Sequence, residues 1–137
     1  MTILGRVLVV DDHEWWRSYV CAILENHPQW LIVAEASNGL EAVDKALALK
    51  PDVILLDLGL PALNGIGTAR QILTAVPHAR ILFLSAHRSP SILKAALSTG
   101  AHGYLLKSDV EDLLVAMEAI SEGKRFISEG LKSEGGE

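Results

Sequence analysis

Short runs of apolar residues alternate along the chain with segments whose apolar residues recur every three or four positions. The apolar runs are rich in Val, Leu and Ile, which is typical of strands buried on both faces, and they predict strands at residues 6–10, 31–36, 52–56, 79–84 and 104–106. The segments between and after them predict amphipathic helices at residues 14–27, 40–49, 65–76, 90–99 and 110–122. The pattern is therefore a strand followed by a helix, repeated along the chain.

Residues that favour turns, helix caps or helix ends stand at the boundaries of these elements, and they include Pro28, Ser37, Asn38, Gly100, Ser108, Asp109 and Gly123. Asn38 or Ser37 is expected to cap the second helix, and Ser108 or Asp109 the last. Alternating strands and helices imply a parallel sheet with helices on both faces. We predict an α/β fold, a flavodoxin-like (βα)5 doubly wound sandwich with a five-stranded parallel sheet of order 2-1-3-4-5.

The composition fits one compact domain, since half of the 137 residues are hydrophobic and 21% are charged. The net charge of −5 argues against broad binding to nucleic acids or anionic membranes. Neither a signal peptide nor an apolar run of about 20 residues is apparent. Cys21 is the single cysteine, so an intrachain disulfide is excluded and a reducing, cytoplasmic location is expected.

Residues 1–127 are predicted to form the domain, and residues 128–137 are polar and Gly-rich. That composition predicts a linker or a frayed tail.

The polar residues that call for an explanation follow the predicted strands directly. They are Asp11 and Asp12 after the first strand, Asp57 after the third, Ser85 after the fourth and Lys107 after the fifth. Ligand sites of open α/β sheets form at the carboxyl ends of the strands. We therefore expect these residues to converge at one edge of the sheet.

Three carboxylates in one pocket repel one another, and a divalent cation relieves that repulsion. Oxygen ligands of this kind suit Mg²⁺. Lys107 adds a positive charge and Ser85 a hydroxyl, both suited to phosphate oxygens. The set indicates phosphoryl transfer to an aspartate, in which positioning and charge neutralisation do most of the catalysis.

Each residue taken alone also has a simpler explanation. Asp11 and Asp12 are ordinary helix-cap residues, and Ser85 is an ordinary loop hydroxyl. Trp15 and Trp16 are best explained by helix packing, with Trp16 inward and Trp15 partly exposed. The histidines lack metal-ligand spacing, which makes a zinc site improbable, and His13 is expected to lie in a loop near the pocket.

Four stretches of the chain resemble the receiver domains of two-component response regulators. They are V-V-D-D-H with Arg17, D-V-I-L-L-D-L-G-L-P with Gly65, L-S-A-H, and G-A-H-G-Y-L-L-K-S. The last stretch, followed by G-K-R-F-I-S, resembles the receivers that precede a LuxR-type (NarL/FixJ-like) helix-turn-helix output domain. The resemblance extends from the first strand to Phe126.

The resemblance implies a role for each matching residue. Asp57 would accept a phosphoryl group from the phosphohistidine of a sensor histidine kinase, with Lys107 contacting that group. Mg²⁺ would be held by Asp12, Asp57 and the backbone carbonyl of Gly59, with Asp11 acting mostly through water. Ser85 and Tyr104 would be the switch residues, the Tyr104 ring turning inward on activation.

The resemblance also implies that the domain controls an output, which would be transcription. It further implies possible homodimerisation, and contact with DNA only through an output domain that this chain does not contain. No membrane partner is expected. The chain departs from the usual pattern at Gly59, which offers no side chain to shield the phosphoryl group, and at His87, Leu60 and Ser108.

Three rival functions are weighed against this one. An interaction module of the same fold that is never phosphorylated would have lost the acidic pair, the acceptor or the lysine, and this chain keeps them all. A phosphohydrolase needs a second general acid after the nucleophile, where Leu58, Gly59 and Leu60 stand instead. A flavin or nucleotide binder needs a phosphate loop after the first strand, where the acidic pair is unfavourable for a phosphate.

Overall fold

A computed structural model of the chain describes residues 2–134. Strands and helices alternate in it as predicted, with ends that differ from the predicted ones by a few residues. In chain order the elements are β1 (Gly5–Val10), α1 (Glu14–Glu25), β2 (Trp30–Ala36), α2 (Gly39–Leu49), β3 (Val53–Leu56), α3 (Gly65–Ala75), β4 (Arg80–Ser85), α4 (Pro90–Leu97), β5 (Gly103–Leu106), α5 (Leu113–Ser121), β6 (Phe126–Ile127) and α6 (Glu129–Glu134).

The described strands form one parallel sheet of order β2-β1-β3-β4-β5-β6. The order of the first five confirms the predicted 2-1-3-4-5, but the prediction of five strands is wrong because β6 adds a sixth. Gly103 pairs with Phe126 in this added strand. Two residues are too short for any detectable periodicity. Backbone bonds define β6 instead: Phe126 N–H donates to the His102 carbonyl at 3.1 Å and Ser128 N–H to that of Tyr104 at 2.9 Å.

The two faces of the sheet have separate apolar cores. One face packs Leu8, Ile54, Leu56 and Phe83 against small and aliphatic residues of α2, α3 and α4. The other packs Val7, Val9, Leu55, Leu82 and Leu84 against α1 and α5. Successive residues of the same strand supply opposite faces, which is why the strands are continuous apolar runs rather than alternating ones.

The start of the last long helix differs from the prediction. A 3₁₀ helix spans Lys107–Asp112, and α5 begins only at Leu113. Asp109 interrupts helical geometry with φ −108° and ψ 27°, so neither Ser108 nor Asp109 caps a continuous helix. Leu113, the first residue of α5, is fully buried in the core on the α1 side of the sheet. At α2 the expected cap is confirmed, since the Asn38 side chain accepts the Glu41 N–H at 2.8 Å.

Residues 128–131 pack on the domain although their composition predicted a linker or tail. Ser128 and Leu131 are each 1% exposed, and Leu131 belongs to the core cluster that contains Tyr104. The Ser128 hydroxyl accepts the Leu106 N–H at 2.8 Å and so extends the hydrogen bonding of β5. A domain boundary after residue 127 stays a prediction, and residues 135–137 lie outside the described part of the chain.

Cys21 lies on α1 and is buried as a small apolar residue, as expected. Burial raises the pKa of its thiol to about 11, and the negative charge of Glu35 adds to the effect. At neutral pH the group is therefore a thiol rather than a reactive thiolate. Within the described residues, no helix is both long enough and apolar enough to cross a membrane.

Candidate functional site

The central strands β1 and β3 deliver Asp11 and Asp57 to the same edge of the sheet. The Asp57 N–H donates to the Val10 carbonyl at 3.1 Å, and the Asp11 N–H donates to the Ala36 carbonyl at 3.1 Å. Both aspartates therefore occupy the first positions beyond their strands while still attached to the neighbouring strand. This attachment fixes their backbones and points two carboxylates into one pocket.

Asp11, Asp12 and Asp57 form what we call the carboxylate cluster. Asp11 and Asp57 are buried, with 3% and 8% exposed, whereas Asp12 is exposed. Each can place one oxygen within 4.8 Å of the others and of a His13 nitrogen. Burial raises the pKa of Asp57, and the negative charges of Asp11 and Asp12 raise it further, while Lys107 opposes them. The cluster is therefore costly to ionise unless positive charge enters it.

Lys107 brings an ammonium group into the pocket. Its Nζ donates to Asp11 Oδ2 at 2.9 Å and lies 3.6 Å from Asp57 Oδ1. The Lys107 side chain is 19% exposed, so its charge is only partly screened by solvent. Lys107 therefore lies beside both buried carboxylates, and its shorter contact is with Asp11 rather than with Asp57.

Two further side chains position the loop that carries the acidic pair. The Arg17 guanidinium donates to the Asp11 carbonyl at 2.6 Å and to Glu35 at 3.0 Å, which ties α1 to the end of β1. The His13 N–H donates to Asp11 Oδ1 at 2.8 Å, and His13 Nδ1 lies 3.4 Å from both Asp11 and Asp12. The structure thus places a ring nitrogen of His13 at the edge of the pocket, beside the carboxylates.

Ser85 and Tyr104 lie side by side under the pocket. Ser85 is 1% exposed at the end of β4, and its hydroxyl accepts the His87 N–H at 3.0 Å. The Tyr104 ring is fully buried and packs against Phe83, with its hydroxyl donating to the His87 carbonyl at 2.8 Å. Burial raises the pKa of Tyr104, and the nearby Ser85 hydroxyl counteracts this. The Tyr104 ring therefore lies inside the domain rather than in solvent.

The loop after Asp57 contributes Leu58 and Gly59 to the lining of a surface cavity. A Cβ on Gly59 would meet nothing within 4 Å, and Gly59 and His87 line the same cavity. Two of the four positions that depart from the usual pattern, Gly59 and His87, therefore line one cavity. Gly65 is needed for a different reason, because a Cβ there would overlap the Asp57 carbonyl oxygen. The absence of a Cβ at Gly65 lets α3 start directly against the backbone of Asp57.

The donor set of the carboxylate cluster fits a hard divalent cation. Two buried carboxylates and one exposed carboxylate converge on a small volume, and burial together with the charges of Asp11 and Asp12 raises the pKa of Asp57. Oxygen donors beside open solvent suit Mg²⁺, which keeps several of its waters. The residues present therefore fit the ion that the family resemblance implies.

Sequence reasoning found the strand-end residues but not all of their contacts. Arg17 entered only as part of a motif, and His13 only as a loop residue near the pocket. Trp16 was expected to pack inward, which it does partly, while Trp15 is 72% exposed. The place of the Trp16 ring beside Lys107 was not foreseen. Contacts of this kind depend on side-chain direction, which spacing along a helix does not specify.

Comparison with known families matches residues 7–118 to the response regulator receiver domain. The chain is 35% identical over 123 residues to transcriptional regulatory protein DegU of Brevibacillus brevis, a match covering 89% of this chain and 52% of that protein. It is 37% identical over 128 residues to nitrate/nitrite response regulator protein NarL of Escherichia coli, covering 93% of this chain and 59% of that protein. The chain thus spans between half and two thirds of the length of these two relatives.

A solved structure extends the similarity to the whole fold. The crystal structure of a LuxR-family two-component response regulator from Aurantimonas sp. SI85-9A1 matches with a TM-score of 0.92 at 34% identity. The match covers 99% of this chain and 96% of that chain.

Proposed function

The chain belongs to the response regulator receiver family, in its NarL- and LuxR-like branch, and on this premise we propose that Asp57 is its phosphoacceptor. In this proposal a sensor histidine kinase supplies the phosphoryl group from a phosphohistidine. The observation that carries the proposal is the burial of Asp57 beside Asp11, with Lys107 Nζ 3.6 Å from the acceptor carboxylate. A carboxylate in so acidic a pocket destabilises the fold, which indicates selection for chemistry.

The transfer step is a displacement at phosphorus. A carboxylate oxygen of Asp57 forms the new O–P bond as the P–N bond to the donor imidazole breaks and the bonding electrons return to that nitrogen. A bound Mg²⁺ would neutralise the charge of the phosphoryl oxygens. The residues proposed to hold the ion are Asp12, Asp57 and the Gly59 carbonyl directly, with Asp11 acting through water.

Lys107 and Ser85 are proposed to bind the transferred group. The Lys107 ammonium already lies between Asp11 and Asp57, so a small movement brings it to a phosphoryl oxygen. The Ser85 hydroxyl accepts the His87 N–H, and its own O–H is the group proposed to donate to a phosphoryl oxygen. These two contacts are made only with the phosphorylated form, so they favour the conformation in which both side chains are drawn toward Asp57.

Tyr104 is proposed to report that conformation to the surface. Its hydroxyl bonds to the backbone of the loop after β4, and its carbonyl accepts the Ser128 N–H. The start of the segment that carries α6 is therefore hydrogen-bonded to the proposed switch residue. Inward Tyr104 would belong to the active form, and phosphorylation would increase the population of that form.

The output is proposed by similarity to the longer relatives. DegU is named as a transcriptional regulatory protein and NarL as a response regulator. We propose that this receiver controls transcription through a LuxR-type helix-turn-helix domain, that any DNA contact is made by that domain, and that phosphorylation promotes homodimerisation. Beyond its own phosphotransfer and dephosphorylation, the domain is proposed to have no enzymatic activity, and its proposed location is the cytoplasm.

Intact-mass measurement tests the proposed acceptor. The chain and the Asp57→Asn variant are incubated with acetyl phosphate, with and without Mg²⁺. The expected result is a gain of one phosphoryl group that requires Mg²⁺ and disappears in the variant. Sedimentation with beryllofluoride then tests for dimerisation. A chain that stays unmodified and does not respond to beryllofluoride would instead be an unphosphorylated interaction module of the same fold.

A further inference from the structure

The indole ring of Trp16 faces the ammonium group of Lys107. Lys107 Nζ lies 5.2 Å from the centre of the Trp16 ring. A cation within about 6 Å of a tryptophan face is attracted by the ring's electron density. Trp16 belongs to the first turn of α1 and Lys107 follows β5, so the contact joins two elements that are distant in sequence.

The ring completes the surroundings of a mobile side chain. Lysine carries its charge on a flexible four-carbon stem and rotates freely unless several groups restrain it. Here the ammonium contacts Asp11 at 2.9 Å and Asp57 at 3.6 Å on one side, and the Trp16 face on another. The ring therefore limits the directions in which the ammonium can leave the pocket.

Packing rather than hydrogen bonding holds the Trp16 ring in place. The ring contacts the apolar core between α1 and α5, and it lies 5.5 Å from the ring of Tyr19. Its Nε1 is enclosed and has no hydrogen-bond partner among the described residues. An enclosed donor without a partner is unfavourable. The indole N–H thus contributes nothing favourable, and the face of the ring is the part that makes a specific contact.

We propose that Trp16 is a positioning residue that holds the Lys107 ammonium where it can bind the phosphoryl group on Asp57. The inference rests on the proposed function of Asp57 and Lys107 and assigns a new role to this chain's own tryptophan. Attraction to a ring face has weaker directional requirements than a hydrogen bond. Lys107 can therefore move from Asp11 to a phosphoryl oxygen without leaving the ring.

A series of fluorinated tryptophans, introduced one at a time at position 16, tests this role. Fluorine withdraws electron density from the ring face and leaves its shape almost unchanged. The rate of Mg²⁺-dependent mass gain with acetyl phosphate and the affinity for beryllofluoride should fall stepwise with fluorine number. The total loss should be about tenfold, the size expected of a partly desolvated cation–aromatic contact.

Trp15 is the matched control. It neighbours Trp16 on the same helix but is 72% exposed and stacks on Tyr19 at 5.4 Å. The same fluorinated series at position 15 should leave the rate and the beryllofluoride affinity unchanged. Trp16→Phe keeps an aromatic face and Trp16→Leu does not. If the two variants are equally stable to urea, Trp16→Phe should retain more of the wild-type rate of mass gain than Trp16→Leu.

A spectroscopic readout tests the contact without phosphorylation. The ¹⁹F resonance of a single fluorotryptophan at position 16 should shift when Lys107 is replaced in Lys107→Met, and the resonance of one at position 15 should not. Wild-type chain that gains no mass would overturn the proposed function itself. Wild-type chain that is modified, with a flat or rising rate across the position-16 series, would overturn only the role of Trp16.

Discussion

Leu56 and Asp57 are consecutive residues of the central sheet, and both are buried, yet they serve opposite purposes. Leu56 ends β3 with no exposed surface and packs against apolar neighbours. Asp57 is 8% exposed and faces two other carboxylates and one ammonium. The interior of the strands lowers the free energy of the fold, whereas the carboxyl edge raises it when its acids ionise. Burial alone therefore does not separate structural from functional residues, but the chemistry of what is buried does.

The largest loss of stability is expected from a substitution in the interior of the sheet. Leu56→Ala removes a side chain that is completely enclosed, so it loses transfer free energy and leaves a cavity. The free energy of unfolding should fall by about 2–5 kcal/mol. Urea denaturation followed by circular dichroism measures the change. A loss below about 1 kcal/mol would mean that the centre of the sheet is not close-packed.

The Leu131→Ala variant tests whether α6 is part of the packed interior of the domain. Leu131 is 1% exposed in the core cluster that holds Tyr104, so its truncation should cost about 2 kcal/mol, the lower end of the range for leucine. Leu40→Ala is the control, since Leu40 is 54% exposed and should change stability by less than about 0.5 kcal/mol. Equal effects of the two variants would show that residues 128–131 are a tail rather than part of the domain.

The Lys107→Met variant tests how much the ammonium group stabilises the acidic residues at the carboxyl edge of the sheet. Removing the ammonium leaves Asp11 and Asp57 without their partner, at a cost of about 1–2 kcal/mol at pH 7, between the values for exposed and buried pairs. The cost should shrink as the pH falls, because protonation of Asp57 removes the charge that Lys107 neutralises. Unfolding titrations at several pH values measure this. A cost independent of pH would indicate lost packing of the lysine stem instead.

Ser85→Ala should lower the free energy of unfolding less than Leu56→Ala, Leu131→Ala or Lys107→Met. The hydroxyl accepts the His87 N–H at 3.0 Å in a buried position, so its loss should cost about 1 kcal/mol. The affinity for beryllofluoride should fall as well, since Ser85 is proposed to bind the phosphoryl oxygens. Ser89→Ala, in the cap of α4, offers a comparison in which stability falls but beryllofluoride affinity does not.

The alternation of apolar runs and amphipathic segments was sufficient to predict β1 to β5, the helices between them and the order of the strands. Such runs are long enough for periodicity to be detected. β6 was not predicted because its two residues, Phe126 and Ile127, are too few to show a pattern. Its pairing depends on the neighbouring backbone of β5. The start of α5 at Leu113 was not predicted, because Asp109 is a residue type that favours helix caps but adopts a non-helical conformation here.

The convergence of Asp11, Asp57, Ser85 and Lys107 followed from topology, since each stands directly after a parallel strand. The partners of those side chains did not follow. The contact of Lys107 with Asp11, the place of His13 beside the acids and the Trp16 ring beside Lys107 all depend on rotamers. These contacts are set by packing among elements far apart in sequence, which no local pattern records.

Urea unfolding of the chain and of Asp57→Asn, first free of divalent ions and then with Mg²⁺, tests the cost of the carboxylate cluster most directly. Burial and Asp11 raise the pKa of Asp57 above its unfolded value, so the ionised acid costs stability as the pH rises through that pKa. Without metal at pH 7, Asp57→Asn should be more stable than the wild type, by a margin that shrinks in acid. Mg²⁺ should raise the free energy of unfolding of the wild type more than that of the variant. The difference between the two should therefore shrink or change sign. A metal-free variant that is no more stable than the wild type would contradict the account.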